Sequence, residues 1–132
     1  MQIERRDFIV MAGAAAAALP ANALPEGKQK MYGLIGKMTA VAGKRDELIS
    51  ILLEGVAGMP GCLSYVVAKD PADANAIWIT EVWDSQESHK ASLSLAATKQ
   101  AITRGKPLIA GFSDHTVTEP VGGHGLVPAR SK

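Results

Sequence analysis

Thr80-Glu81-Val82-Trp83-Asp84-Ser85-Gln86-Glu87-Ser88-His89 is the end of a strand running straight into a helix, and its two periodicities set the layout of everything around it. Strand alternation places Glu81 and Trp83 on one face of a sheet. A helix beginning near Ser85 carries His89 in its second turn, over that same face. Asp84 with Glu87 three residues on is a capping-box pattern with Asp in the capping role. His89, Leu93 and Ala97 then share one stripe. An acid, an indole and an imidazole thus converge from consecutive elements, which suffices for a small polar site in apolar surroundings.

Upstream, Cys62 to Lys69 and Ala76 to Trp83 are rich in β-branched and aromatic residues, and the turn cluster Asp70-Pro71-Ala72-Asp73-Ala74-Asn75 between them makes an antiparallel hairpin. Before the hairpin, Lys44 to Val56 has Leu48, Ile49, Leu52, Leu53 and Val56 at helical spacing, with Asp46 and Glu47 favourable in the first turn. Gly55, Gly58 and Met59-Pro60-Gly61 stop it. Met31 to Ala40 reads as the first strand, with Gly33 and Gly36 read as packing glycines. Downstream, one helix or a broken pair runs to about Ile102 and ends at Arg104-Gly105-Lys106-Pro107. Leu108 to Phe112 reads as an apolar connector and His115 to Glu119 as the last strand.

Strand, helix, strand, strand, helix, strand is the βαββαβ order of the ferredoxin-like α+β fold, four antiparallel strands with the helices on one face. Ile77, Ile79, Glu81 and Trp83 point one way along the third strand, and Trp78, Thr80 and Val82 the other, so both faces read as largely apolar. Helices cover only one of them. Burying the other against a second copy predicts a two-fold homodimer with the sheets face to face.

The 132 residues are 47% hydrophobic and 20% charged, with net charge +1. That suits one compact domain and weighs against nucleic acid as a partner. The single cysteine, Cys62, forms no intrachain disulfide, and the three histidines have no metal-ligand spacing, so no metal is expected. Residues 1–23 read as a secretory signal: Arg5-Arg6-Asp7-Phe8-Ile9 is of the twin-arginine type, and an Ala-rich apolar run leads to Ala21-Asn22-Ala23. Cleavage there predicts a periplasmic protein with no membrane attachment, the rival being a retained anchor. Residues 24–30 form a lead-in, 31–120 the domain and 121–132 a Gly/Pro-rich tail.

The order of elements, Glu81-x-Trp83 followed by His89 on the next helix, and the Pro60-Gly61-Cys62 entry to the second strand resemble the antibiotic biosynthesis monooxygenase domain family. Within it, the chain is most similar to small proteins assigned as quinol monooxygenases, over Tyr32 to Pro120. The resemblance implies a dimeric α/β barrel that oxidises a quinol or other dihydroxylated aromatic with molecular oxygen and no cofactor. It further implies His89 as the base taking a phenolic proton, Glu81 orienting the imidazole and stabilising its cation, Trp83 stacking on the ring, and Tyr65, Trp78 and Phe112 as walls. A non-catalytic periplasmic module binding a small aromatic, or haem, is the alternative. The haem-degrading branch carries its iron-binding histidine further along the helix, where this chain has Leu93, Ser94 and Leu95 to Thr98. Each site residue also has a structural reading: His89 as a satisfied core histidine, Trp83 as packing, Glu81 as a cap or arginine partner.

Overall fold

β1 (Tyr32–Ala40), α1 (Arg45–Gly55), β2 (Cys62–Lys69), β3 (Ala76–Trp83), α2 (Gln86–Ser92), α3 (Ala96–Gly105), a 3-10 turn (Lys106–Leu108) and β4 (Ile109–Thr118) succeed one another along the chain. These elements come from a computed structural model that describes residues 30–126. The signal reading of 1–23, the lead-in before residue 30 and the end of the tail lie outside the described residues. The four strands form one antiparallel sheet in the order β2-β3-β1-β4. This is the ferredoxin-like α+β arrangement, and both hairpin strands have the ends that their composition predicts.

Register explains where the core lies. Leu34 pairs with Glu81, Gly36 with Ile79 and Met38 with Ile77, so these residues share the helix-covered face. Met38, Ala40, Ile77, Ile79 and Ile109 pack there against Leu48, which is fully buried. Burying a leucine of this kind is worth about 2 kcal/mol. α1 and α3 come close because small residues meet: a Cβ at Gly55 would stand 2.7 Å from that of Ala101. Gly61 serves the entry to β2 in a similar way. Its φ is +83°, and a side chain there would collide with Ser88 on α2.

The hairpin is fastened from outside. Arg45 Nη1 donates to the carbonyls of Asp70 (3.3 Å), Asp73 (2.8 Å) and Ala76 (3.3 Å). Trp78 Nε1 donates to Asp70 Oδ2 at 2.9 Å, and Lys37 Nζ lies 3.7 Å from that oxygen and 5.6 Å from the Trp78 ring centre. The Trp78 bond first, then the N–H of Ala72 and the charge of Lys37, hold the Asp70 carboxyl below the usual carboxylate range.

Of the two readings of the second helix the broken pair is the one observed, and four expectations are corrected, beginning with the inward stripe at Ala97. Ser92 Oγ donates to His89 O at 2.6 Å, Ser94 N and Leu95 N close tight bonds to Ala91 O and Ser92 O, and Leu95 is extended. Serine hydroxyls that bond back to the backbone compete with helix continuation, and the restart turns Ala97 to solvent. The cap of α2 is Ser85, extended at φ −162° and ψ 161°, whose Oγ accepts from Ser88 N at 3.1 Å; Asp84 instead ties its N–H to Gly61 O. β4 begins at Ile109, within the stretch read as a connector. A register shift opposite Ile35/Lys37, with Asp114 at φ +50°, resets its alternation and hides the strand's first half. The open face of the sheet is mixed rather than largely apolar, because Lys37, Thr80 and Thr116 share it with Ile35, Val66, Trp78 and Val82.

Candidate active site

Glu81 and Trp83 face the helices from β3, and His89 descends towards them from α2. The three do converge. Trp83 Nε1 donates to Glu81 Oε1 at 2.9 Å, and His89 Nε2 lies 3.8 Å from the same oxygen. The second distance is too long for a hydrogen bond. His89 is 4% exposed and Trp83 1%. The edge of the Trp83 ring meets the imidazole with centroids 5.3 Å apart, and the Tyr32 ring lies at 5.3 Å in a tilted arrangement. Glu81 therefore partners an indole and an imidazole, not an arginine or a helix end.

Burial governs the protonation of the pair. Loss of water pushes the Glu81 carboxyl up to about 7, with the Trp83 bond pulling the other way. The same loss takes His89 down to about 4. At neutral pH the imidazole is uncharged and the carboxyl is about half protonated. This reverses the expectation that Glu81 stabilises an imidazolium: without a hydrogen bond between them, desolvation prevails. Tyr65 pairs with Glu81 across β2 and β3, and burial keeps its phenol well above the ordinary range, with Glu81 and Cys62 adding to the effect.

A cavity of about 110 Å³ lies between the sheet and the helices, with Glu81, Trp83 and His89 on its wall. Leu34, Gly36 and Ile79 line it from the sheet, and Leu48, Leu52 and Ile102 from the helices. Tyr65 and Phe112 also line it, as their proposed roles require. Trp78 does not. It points to the open face, where Asp70 and Lys37 hold it, so its assignment as a wall is withdrawn. Serving as a wall shows position and not catalysis.

The two glycines of β1 differ in position. A Cβ at Gly33 would strike Thr118 Oγ1 and Pro120, so that glycine is there for packing. Gly36 shares the face of Leu34 and Met38 and lines the cavity. Alternation alone marks it as inward-facing. Leu93 lines the space as the stripe it shares with His89 predicts, whereas Met59, Ser92 and Thr98 also line it and were not foreseen. Met59 sits in a loop read only as a helix stop, and Thr98 reaches inward because α3 restarts. Thr98 Oγ1 donates to Met59 Sδ at 3.9 Å, joining α3 to that loop.

Among the described residues no group of three His, Cys, Asp or Glu side chains is arranged to hold a metal. His115 on β4 does not line the cavity, and its Nε2 is buried without a partner. Nor is any helix among these residues long and apolar enough to cross a membrane.

The sequence profile of the antibiotic biosynthesis monooxygenase family matches residues 31–104. The chain belongs to that family. A protein from Chloroflexus aurantiacus J-10-fl, provisionally described as an antibiotic biosynthesis monooxygenase, is 68% identical over 73% of this chain and 98% of its own, with a TM-score of 0.72. A provisional antibiotic biosynthesis monooxygenase from Caulobacter crescentus CB15 is 21% identical over 71% of this chain and 92% of its own, with a TM-score of 0.65. SnoaB, a cofactor-independent oxygenase from Streptomyces nogalater, is 14% identical over 72% of this chain and 97% of its own, at TM-score 0.61. The last two likenesses concern the fold. No match is found among curated proteins. The antibiotic biosynthesis monooxygenase match runs from β1 into α3, so Glu81, Trp83, His89 and Thr98 fall inside it and Phe112 beyond it.

Proposed function

We propose that this family member is a cofactor-independent monooxygenase that oxidises a quinol or another hydroxylated aromatic with molecular oxygen. The observation that carries the reading is an apolar cavity with a carboxyl and an imidazole, Glu81 and His89, side by side on its wall. An aromatic ring that gives electrons to oxygen does so far more readily once its hydroxyl is deprotonated, so the protein's task is to take that proton. A base serves best when its pKa lies near the working pH. Glu81, at about 7, meets that condition better than His89, at about 4. The carboxylate accepts the phenolic proton, and the neutral imidazole offers a hydrogen bond to the ring oxygen. The overall step balances: a quinol and one O2 give a hydroxyquinone and water, the ring supplying all four electrons. Similarity to the Chloroflexus protein and a fold shared with SnoaB support this class of chemistry.

The wider setting is part of the same proposal. Val66 on the open sheet face is 52% exposed, and Ile35, Trp78 and Val82 lie on that face with it. A two-fold dimer through this face would cover them. The twin-arginine-type start is the ground for proposing export to the periplasm.

Oxygen uptake with hydroquinone, corrected for autoxidation, tests the enzymatic reading. Glu81→Gln and His89→Gln are each expected to lower the rate at least tenfold, with Glu81→Gln the more severe near pH 7. Saturable quenching of tryptophan fluorescence with no uptake above background would identify a binding module instead.

A further inference from the structure

Resting on the reading of the cavity as the aromatic site, we infer that it is built for a single ring and that Met59 sets this limit. The size argument comes first. An engineered apolar cavity of about 150 Å³ holds benzene. The cavity here, about 110 Å³, is of that order and takes one ring with a small outward movement of its wall. The pocket is partly open to solvent, so two fused rings can be fully enclosed only if a wall residue leaves.

The sheet side of the wall and Leu48 cannot leave. Trp83 and Leu48 are almost wholly buried, Trp83 is bonded to Glu81, and Leu34, Met38 and Ile79 belong to the packed sheet face. Met59 packs against Tyr32, Leu34 and Trp83, and like Leu52, Leu93, Ile102 and Phe112 it keeps some solvent exposure, but two features set it apart. It lies in the loop between α1 and β2, between Gly58 and Gly61, both at positive φ. Its unbranched side chain has the freedom that a gap-filling thioether supplies. The Thr98 hydroxyl holds the sulfur across the gap between that loop and α3, so the resting side chain closes this part of the wall. Met59 is a specificity-determining residue on this account, not a catalytic one.

The test exploits an inversion of order. In a pocket without a steric limit, the larger apolar ligand binds tighter, because affinity follows the buried area. Phenol and 2-naphthol each carry one hydroxyl and differ by one ring. Calorimetric titration of the full-length protein with each, under argon, is expected to show phenol binding at least tenfold tighter. In Met59→Ala the order should reverse, with 2-naphthol gaining at least tenfold, whereas Met59→Leu, close in volume, should keep the wild-type order. Wild-type protein that binds 2-naphthol as tightly as phenol overturns the size limit and leaves the aromatic site standing. A folded Met59→Ala variant with the wild-type preference overturns the assignment to Met59. Absence of binding by either compound removes the aromatic site and this inference together.

Discussion

His89→Gln should make the stability of this protein fall as the pH rises from 4.5 to 7, and Glu81→Gln should make it fall as the pH drops from 6.5 to 4. The opposed signs follow from the geometry. Folding raises the Glu81 carboxyl from 4.5 to about 7. Its contribution to stability is therefore complete below 4.5 and is lost as the pH rises through 7. Folding lowers the His89 imidazole from 6.5 to about 4. Its contribution is complete above 6.5 and is lost as the pH falls through 4. A tenfold change in proton affinity is worth about 1.4 kcal/mol, so each group acting alone tilts stability by about 3 kcal/mol. In the native protein the two tilts nearly cancel between pH 4 and 8. Each substitution removes one and exposes the other.

Urea unfolding followed by tryptophan fluorescence at a fixed protein concentration measures both. With a denaturant dependence of about 1–3 kcal/mol per molar, the expected tilt moves the midpoint by roughly 1–3 M across the range. Asp70, whose carboxyl is held below its ordinary value, adds an acid-side loss common to all three proteins. The difference from wild type is therefore the quantity to compare. A His89→Gln profile parallel to wild type from pH 4.5 to 7 would refute the reasoning, because the carboxyl would then not be desolvated in the way its surroundings require.

Two further substitutions probe other parts of the structure. Gly36→Ala adds a methyl to a cavity-lining residue at a position without positive φ, so phenol affinity should drop at least fivefold in calorimetry while stability holds or rises by about 0.5 kcal/mol. Arg45→Met keeps the aliphatic stem but removes the donor shared by three hairpin carbonyls, and chemical denaturation should show a loss of about 1–3 kcal/mol.

The convergence of Glu81, Trp83 and His89 was legible because it needs only two local periods meeting at one junction. The hairpin ends were legible for a similar reason, since the Asp70 to Asn75 turn cluster brackets two clear runs. Non-local effects hid the rest. The first half of β4 was masked by a bulge whose only local mark is an aspartate at positive φ, and the strand exists because β1 lies alongside. A broken second helix was among the readings, but the place of the break after Ser92 was unmarked, since it involves neither Gly nor Pro, only hydroxyls turned back onto the backbone. Gly36 carried its signal in the alternation of β1, but whether an inward-facing glycine meets a neighbour or a space depends on what stands above it. The proton affinities were the least legible. A carboxylate beside an imidazole suggests a charged pair, and only the burial of both, with 3.8 Å between them, shows that the neutral forms prevail.

α2 has seven residues, and a helix that short has no standing outside its fold. One serine cap and two flanking rings moor it, so the gap separating acid from imidazole is a docking distance and not a helical constant. Descendants of this chain can retune proton traffic by seating that peg a little deeper or shallower, while the hairpin carrying the acid stays as it is.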